Sequence, residues 1–187
     1  MTDLFRSAVF LDRDGVINEE TGYVSSVDEL AWIDGAPEAI ARLNRAGFLV
    51  MVVTNQAGIA RGYHSVADVV RLHDYMRDEL ARRGAAVDAF DYCPHHPDFG
   101  PPCVCRKPAP GMILRLARRW RIDVARSWLV GDKRSDIEAG LAAGLAPVLV
   151  RTGYGREYEP SVAGSAPVVD DLSAACDLIV GAPPKAP

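Results

Sequence analysis

This sequence has no excess of positive charge, no long apolar run and no internal repeat, and each absence narrows the field. Lys and Arg total 21 against 25 Asp and Glu, leaving a formal net charge of −4. A general nucleic-acid-binding surface is therefore not expected, since such surfaces rest on clustered cations facing phosphates. No stretch approaches the roughly 18 consecutive apolar residues that span a bilayer. Residues 1–6 lack the basic region and apolar run of an export signal. The chain is accordingly expected to be soluble and cytoplasmic, without a membrane partner, and is taken as a monomer. Cysteine is also scarce, with four in 187 residues. Three of them, Cys93, Cys103 and Cys105, crowd beside His95 and His96, which argues against a dispersed disulfide framework and for a metal. Cys176, on a predicted terminal helix, reads as a small core residue.

What is present suits a globular domain: 49% of residues are apolar and 25% charged, enough for one well-buried core. A single domain is expected over residues 1–180. Loop 93–105 is an insert within it, 163–167 a linker and 181–187 a disordered tail. Strand-like apolar runs recur at 8–11, 48–53, 89–92, 128–130 and 147–150. Helical patterns fill the gaps at 36–46, 66–83, 110–120 and 135–143, and a short strand and helix follow at 168–180. In the 66–83 segment, Val66, Val69, Val70, Leu72, His73, Met76 and Leu80 are predicted near one face. Strands alternating with helices, and apolar throughout, predict an α/β fold: a doubly wound, three-layer parallel sheet covered on both faces. Ligands of such sheets bind beyond the carboxyl ends of the strands.

Polar clusters stand where those ends should be. The run 9–11 stops at Asp12-Arg13-Asp14-Gly15, whose two carboxylates share one side of the pleat. They can share a divalent cation and leave an oxygen free for nucleophilic attack; a polar turn would look the same. Thr54, Asn55, Gln56 and Ala57 supply a hydroxyl, amides and main-chain N–H groups suited to phosphate, or simply a capped turn. Arg106 and Lys107, set among prolines, can neutralise a transferring phosphoryl group and grip another part of a substrate. Asp132 can complete an oxygen-rich Mg²⁺ site with Asp12 and the main-chain carbonyl of Asp14. Asp136, a turn further on, can orient Lys107 or a metal-bound water, or merely cap a helix.

Four clusters in this order resemble the motifs of the haloacid dehalogenase-like phosphatases, over about residues 8–150. The resemblance implies that Asp12 forms an aspartyl-phosphate and that Asp14 acts first as acid and then as base. It also implies that Thr54 and Lys107 steady the phosphoryl oxygens and that Mg²⁺ screens the repulsion. Only 40 positions separate Asp14 from Thr54, too few for a large cap domain. Specificity must then come from the loops at 18–24 and 56–63 and from the 93–105 insert with Arg106.

That insert carries donors for a closed Zn²⁺ tetrahedron: Cys93, His95, Cys103 and Cys105, with His96 able to replace His95. Its Cys-x-His…Cys-x-Cys-Arg-Lys-Pro pattern resembles a zinc-containing branch of the family, whose pattern favours His95. Members of that branch act on heptose bisphosphates and on histidinol phosphate. The implied reaction removes the 7-phosphate of D-glycero-D-manno-heptose 1,7-bisphosphate to leave heptose 1-phosphate; histidinol phosphate is the alternative substrate. The resemblance carries substrate contacts to Arg13, Glu20, Thr21, Gly22, Tyr23, Asn55, Gln56, Ala57 and Lys133. A second phosphate needs its own cation, for which Arg106 is the first candidate, then Arg61 and Lys133. A zinc-stabilised scaffold without activity is the reading of another class, and the intact Asp12, Asp14, Lys107 and Asp132 argue against it.

Overall fold

A computed structural model describes residues 5–182. Along the chain run β1 (Ala8–Leu11), α1 (Ala36–Arg45), β2 (Leu49–Asn55), α2 (Ala57–Ala60) and α3 (Val66–Arg82). Then come β3 (Ala89–Cys93), α4 (Gly111–Trp120), β4 (Trp128–Gly131) and α5 (Arg134–Ala143). The chain continues with β5 (Ala146–Val150), α6 (Gly155–Tyr158), β6 (Val168–Val169) and α7 (Leu172–Gly181). The six strands form one sheet in the order β3-β2-β1-β4-β5-β6, and every pairing is parallel. The winding reverses between β1 and β4, the place where such sheets open a crevice for ligands.

Alternate strand residues feed two separate cores, as the pleat requires. Val9, Leu11, Val50, Val52, Val130 and Val148 pack with α1, α3 and α7 through Ile40, Leu43, Leu72, Met76 and Ile179. Ala8, Phe10, Leu49, Met51, Val53 and Leu129 pack on the opposite face with α4 and α5 through Met112, Ile113, Leu116, Ala139 and Ala143. Each fully buried Val, Leu, Ile, Phe or Met side chain among them contributes about 1.5–3 kcal/mol relative to exposure. The stretch between β1 and β2 carries α1 and a loop rather than an inserted domain.

The expected elements are present, with shifted ends. β2 continues through Thr54 and Asn55 because these residues still pair, in register, with Tyr92 and Cys93 of β3. On α3, Val66 and Val70 are exposed while Val69, Leu72, His73, Met76 and Leu80 are buried, so the apolar face is narrower than predicted. Helix α3 starts at a reciprocal capping box between Ser65 and Asp68, which fixes its first turn. At the other end of the chain α7 runs through Gly181, so the first residue of the expected tail is helical; residues 183–187 of that expectation lie outside the described residues. No helix among the described residues is long and apolar enough to cross a membrane.

Candidate active site

Asp12 follows β1 directly, and its main-chain N–H donates to Val130 O of the neighbouring strand at 2.9 Å. This bond fixes the Asp12 main chain at the sheet's switch point. Lys107 reaches the same spot from the segment before α4. Its Nζ lies 3.0 Å from Asp12 Oδ1 and 2.6 Å from Asp136 Oδ1, and donates to Val53 O at 2.8 Å. Burial opposes the charge on Lys107, but Asp12 and Asp136 outweigh it and hold the amine above its usual pKa. Lys107 is therefore a fixed cation beside Asp12. Asp136 has two duties: one oxygen holds Lys107, and the other accepts from Lys133 N at 3.0 Å at the start of α5.

Asp14 has a different environment, although it is only two residues on. Its carboxylate accepts from Arg13 Nε and Nη2 at 3.0 Å each, from Asn18 Nδ2 at 3.0 Å and from Gln56 Nε2 at 3.2 Å. The Gln56 amide also donates to Thr54 Oγ1 at 2.9 Å, so it bridges two of the expected catalytic residues. Arg13 cannot touch a substrate through its side chain, contrary to expectation: the guanidinium is fully buried behind Asp14. Asn55 likewise spends its amide on the main chain of Lys107, donating to its carbonyl at 3.1 Å and accepting from its N–H at 3.0 Å.

Carboxylate oxygens of Asp12, Asp132 and Asp136 lie within 4.8 Å of one another. Asp132 Oδ2 accepts from Tyr154 N at 2.9 Å, while Oδ1 is buried and has no partner among the described residues. Burial, reinforced by Asp12, raises the Asp132 pKa to about 8; burial also raises that of Asp12 to about 6, against the pull of Lys107. Buried, crowded oxygens of this kind suit a hard divalent cation. Glycines keep the space beside them open: a Cβ on Gly15 or Gly153 would meet Asp132 Oδ2 at 2.3 Å. The Asp14 carboxylate, engaged with Arg13, Asn18 and Gln56, is not part of this cluster.

Over these groups opens a cavity of about 360 Å³, lined by Asp14, Glu20, Gly22, Tyr23, Asn55, Gln56, Ala57, His96, Arg106 and Lys133, and also by Tyr154, Glu157 and Tyr158. Nine of the expected residues thus meet on one wall system. Thr21 is exposed and not part of the wall. Arg61 is turned away: its Nη2 is 3.1 Å from His96 Nε2 and its guanidinium sits 5.0 Å from the Phe99 ring centre. The two small loops brace each other through Tyr23 and Tyr63, edge to face at 4.8 Å. Lys133 pairs with Glu20 at 2.9 Å and lies 4.7 Å over the Tyr154 ring. Tyr154, Glu157 and Tyr158 join the wall beyond the residues that the sequence motifs point to. Their signal is the same polar break at a strand end, here after β5, where Gly153 and Gly155 flank Tyr154.

The insert forms a compact four-donor cluster. Cys93 Sγ lies 3.0 Å from Cys105 Sγ and 3.6 Å from both Cys103 Sγ and His95 Nδ1; His95 Nδ1 lies 3.3 Å from Cys105 Sγ. A tetrahedron with Zn–S bonds of about 2.3 Å has edges of about 3.7 Å, so the donor set fits zinc with small adjustments. His96 stands outside it, paired with Arg61. Arg106 Nη1 donates to His95 O at 3.1 Å, which couples the cluster to the cavity.

A family model described as HAD-hydrolase-like matches residues 104–175. The D-glycero-beta-D-manno-heptose-1,7-bisphosphate 7-phosphatase of Pseudomonas putida is 45% identical over 168 residues, covering 89% of this chain and 95% of that one. The enzyme of the same name from Escherichia coli is 47% identical over 152 residues, 78% and 80% of the two chains. The crystal structure of D,D-heptose 1,7-bisphosphate phosphatase from B. bronchiseptica, complexed with magnesium and phosphate, superposes with a TM-score of 0.87 at 42% identity, covering 94% of this chain and 98% of that one. Fold, strand-end residues and overall similarity agree, and the chain belongs to the haloacid dehalogenase-like phosphatases, in the same family as these heptose bisphosphate phosphatases.

Proposed function

We propose that this chain removes the 7-phosphate of D-glycero-beta-D-manno-heptose 1,7-bisphosphate, leaving the 1-phosphate in place. The observation that carries this reading is a buried Asp12 flanked by Lys107, two residues from a separately held Asp14 that lines a polar cavity. Asp12 attacks phosphorus through a carboxylate oxygen, and the P–O bond to the sugar breaks. Asp14 gives its proton to the departing alkoxide oxygen. In the second half the same carboxylate takes a proton from water as that water attacks phosphorus, which frees Asp12 and releases phosphate. Lys107 and Thr54 face the phosphoryl oxygens, where their fixed donors stabilise the charge of the transition state.

Mg²⁺, held by Asp12, Asp132 and the Asp14 carbonyl, supplies charge neutralisation between the nucleophile and the phosphate when bound. The Cys93, His95, Cys103 and Cys105 cluster holds Zn²⁺ as a closed structural site, since four protein donors leave no position for a substrate. Glu20, Gly22, Tyr23 and Lys133 contact the sugar, and Arg106 the remote phosphate. The names of the relatives compared above support the heptose bisphosphate over histidinol phosphate.

Phosphate release with magnesium, measured in parallel on the beta and alpha anomers and on histidinol phosphate, tests this reading. The beta anomer is expected to have the highest kcat/KM. A preference for histidinol phosphate would overturn the substrate, and turnover retained by Asp12→Asn would overturn the nucleophile.

A further inference from the structure

Arg13 lies in sequence between the two aspartates of the proposed reaction, yet its guanidinium cannot reach the cavity. It is the largest fully buried side chain of the described residues. Removing a guanidinium from water costs several kcal/mol unless its donors are paired. Three separate parts of the chain supply the acceptors. Asp14 takes Nε and Nη2 side by side, Val24 O takes Nη2 at 2.6 Å, and His73 Nε2 faces Nη1 at 3.4 Å.

His73 comes from the middle of α3 and is buried, with its ring stacked on Phe90 of β3 at 4.6 Å and 23°. To accept from a guanidinium, Nε2 must carry no proton, so the ring is neutral with its hydrogen on Nδ1. Burial, with the Arg13 charge beside it, lowers the His73 pKa to about 3, which keeps that form across the working range. Nothing about apolar packing alone calls for an arginine and a histidine here.

We propose that Arg13 and His73 are positioning residues: a buried strut, anchored on α3, that fixes the plane of the Asp14 carboxylate for proton transfer. A side-by-side guanidinium contact sets both oxygens of a carboxylate at once, which a lysine cannot do. With Asn18 on Oδ1 and Gln56 on Oδ2, the Asp14 carboxylate is gripped at both ends. The bond to Val24 O ties the same strut to the end of the loop that carries Glu20, Gly22 and Tyr23. This inference rests on the reading of Asp14 as the acid that protonates the leaving oxygen.

Leaving-group dependence provides the test, because kcat/KM reports events up to cleavage of the ester bond. An alkoxide must be protonated as it leaves, whereas p-nitrophenolate departs without help. His73→Phe keeps the ring stack and removes the acceptor; His73→Gln restores an acceptor near the Nε2 position. His73→Phe is expected to lower kcat/KM for the sugar bisphosphate about tenfold, a fraction of what general acids contribute. For p-nitrophenyl phosphate the change should stay within about threefold, and His73→Gln should recover most of the loss. Arg13→Lys, which keeps the charge but not the side-by-side contact, should show the same asymmetry and serves if His73→Phe does not fold. Equal losses on both substrates, or no loss on either, would overturn the strut. A wild-type protein inactive on every phosphate ester would instead overturn the phosphatase reading beneath it.

Discussion

Asn55 holds the main chain of Lys107 from both sides, accepting from its N–H at 3.0 Å and donating to its carbonyl at 3.1 Å. The end of β2 thereby sets the position of a residue 52 places further on. Asn55→Ala removes both bonds and leaves two partly buried peptide groups unpaired, which costs about 1–3 kcal/mol each. Lys107 then loses its register beside Asp12. We expect kcat to fall by more than about tenfold with a lower Tm. Full kcat at unchanged Tm would show that Asn55 serves only the substrate.

With Asp12 and Asp132 as the proposed cation ligands, binding should depend on pH with a definite sign. Burial raises their pKa values to about 6 and about 8, above the unfolded value of about 3.9. Without a cation the folded protein thus keeps protons that the unfolded chain has released. Their unfavourable contribution is absent below the unfolded pKa and grows as pH rises toward about 8. A bound divalent cation displaces those protons, so its apparent affinity rises through the same window. The increase in Tm produced by a fixed Mg²⁺ concentration should therefore be larger at about pH 8 than at about pH 6. Thermal unfolding with and without magnesium reads this directly, and an increment that shrinks with pH would contradict the assignment.

Much of this site was legible in the sequence because its residues stand where apolar runs stop. Asp12, Thr54, Lys107 and Asp132 needed only the strand-helix alternation and the rule that parallel sheets bind ligands at their carboxyl ends. Side-chain direction was not legible. Arg13 and Arg61 looked like substrate cations, but one is buried behind Asp14 and the other is turned to His96 and Phe99. Charge and spacing do not say whether an arginine finds its partner inside or outside. The predicted strand 48–53 stops short of Thr54 and Asn55, since a parallel ladder accepts polar residues while their main chains still pair. The wall formed by Tyr154, Glu157 and Tyr158 comes from a strand end marked by glycines rather than carboxylates, a weaker signal of a site.

The insert depends on its donors more than on apolar contacts. Val104 is 79% exposed and Phe99 53% exposed, so little burial holds residues 97–104 in place. Cys103→Ser should abolish zinc binding and lower Tm, because a structural zinc contributes folding energy directly. Its effect on turnover should appear mainly in KM, since Arg106 is tied to the carbonyl of His95 while Asp12 and Lys107 are not. Zinc content by elemental analysis, together with Tm, checks the ligand set; an unchanged metal content would remove Cys103 from it.

Arg106 and Lys107 are adjacent in sequence but face different parts of the reaction. Lys107 is buried against Asp12, whereas Arg106 is half-buried on the cavity wall beside His96. Of these two, Arg106 is the one that lines the cavity, and the proposed reaction gives it the phosphate away from the nucleophile. A guanidinium–phosphate contact is charge-assisted, and losing one costs about 1.5–3 kcal/mol, or roughly 10- to 150-fold in binding. Arg106→Ala should raise KM for the 1,7-bisphosphate by that factor. With the 7-monophosphate as substrate the same variant should change KM by no more than about threefold, because the lost partner was never there. The kcat values should stay close, since Asn55 keeps its clamp on the Lys107 main chain. Parallel increases in KM for both substrates would mean that Arg106 shapes the cavity without reading the second phosphate.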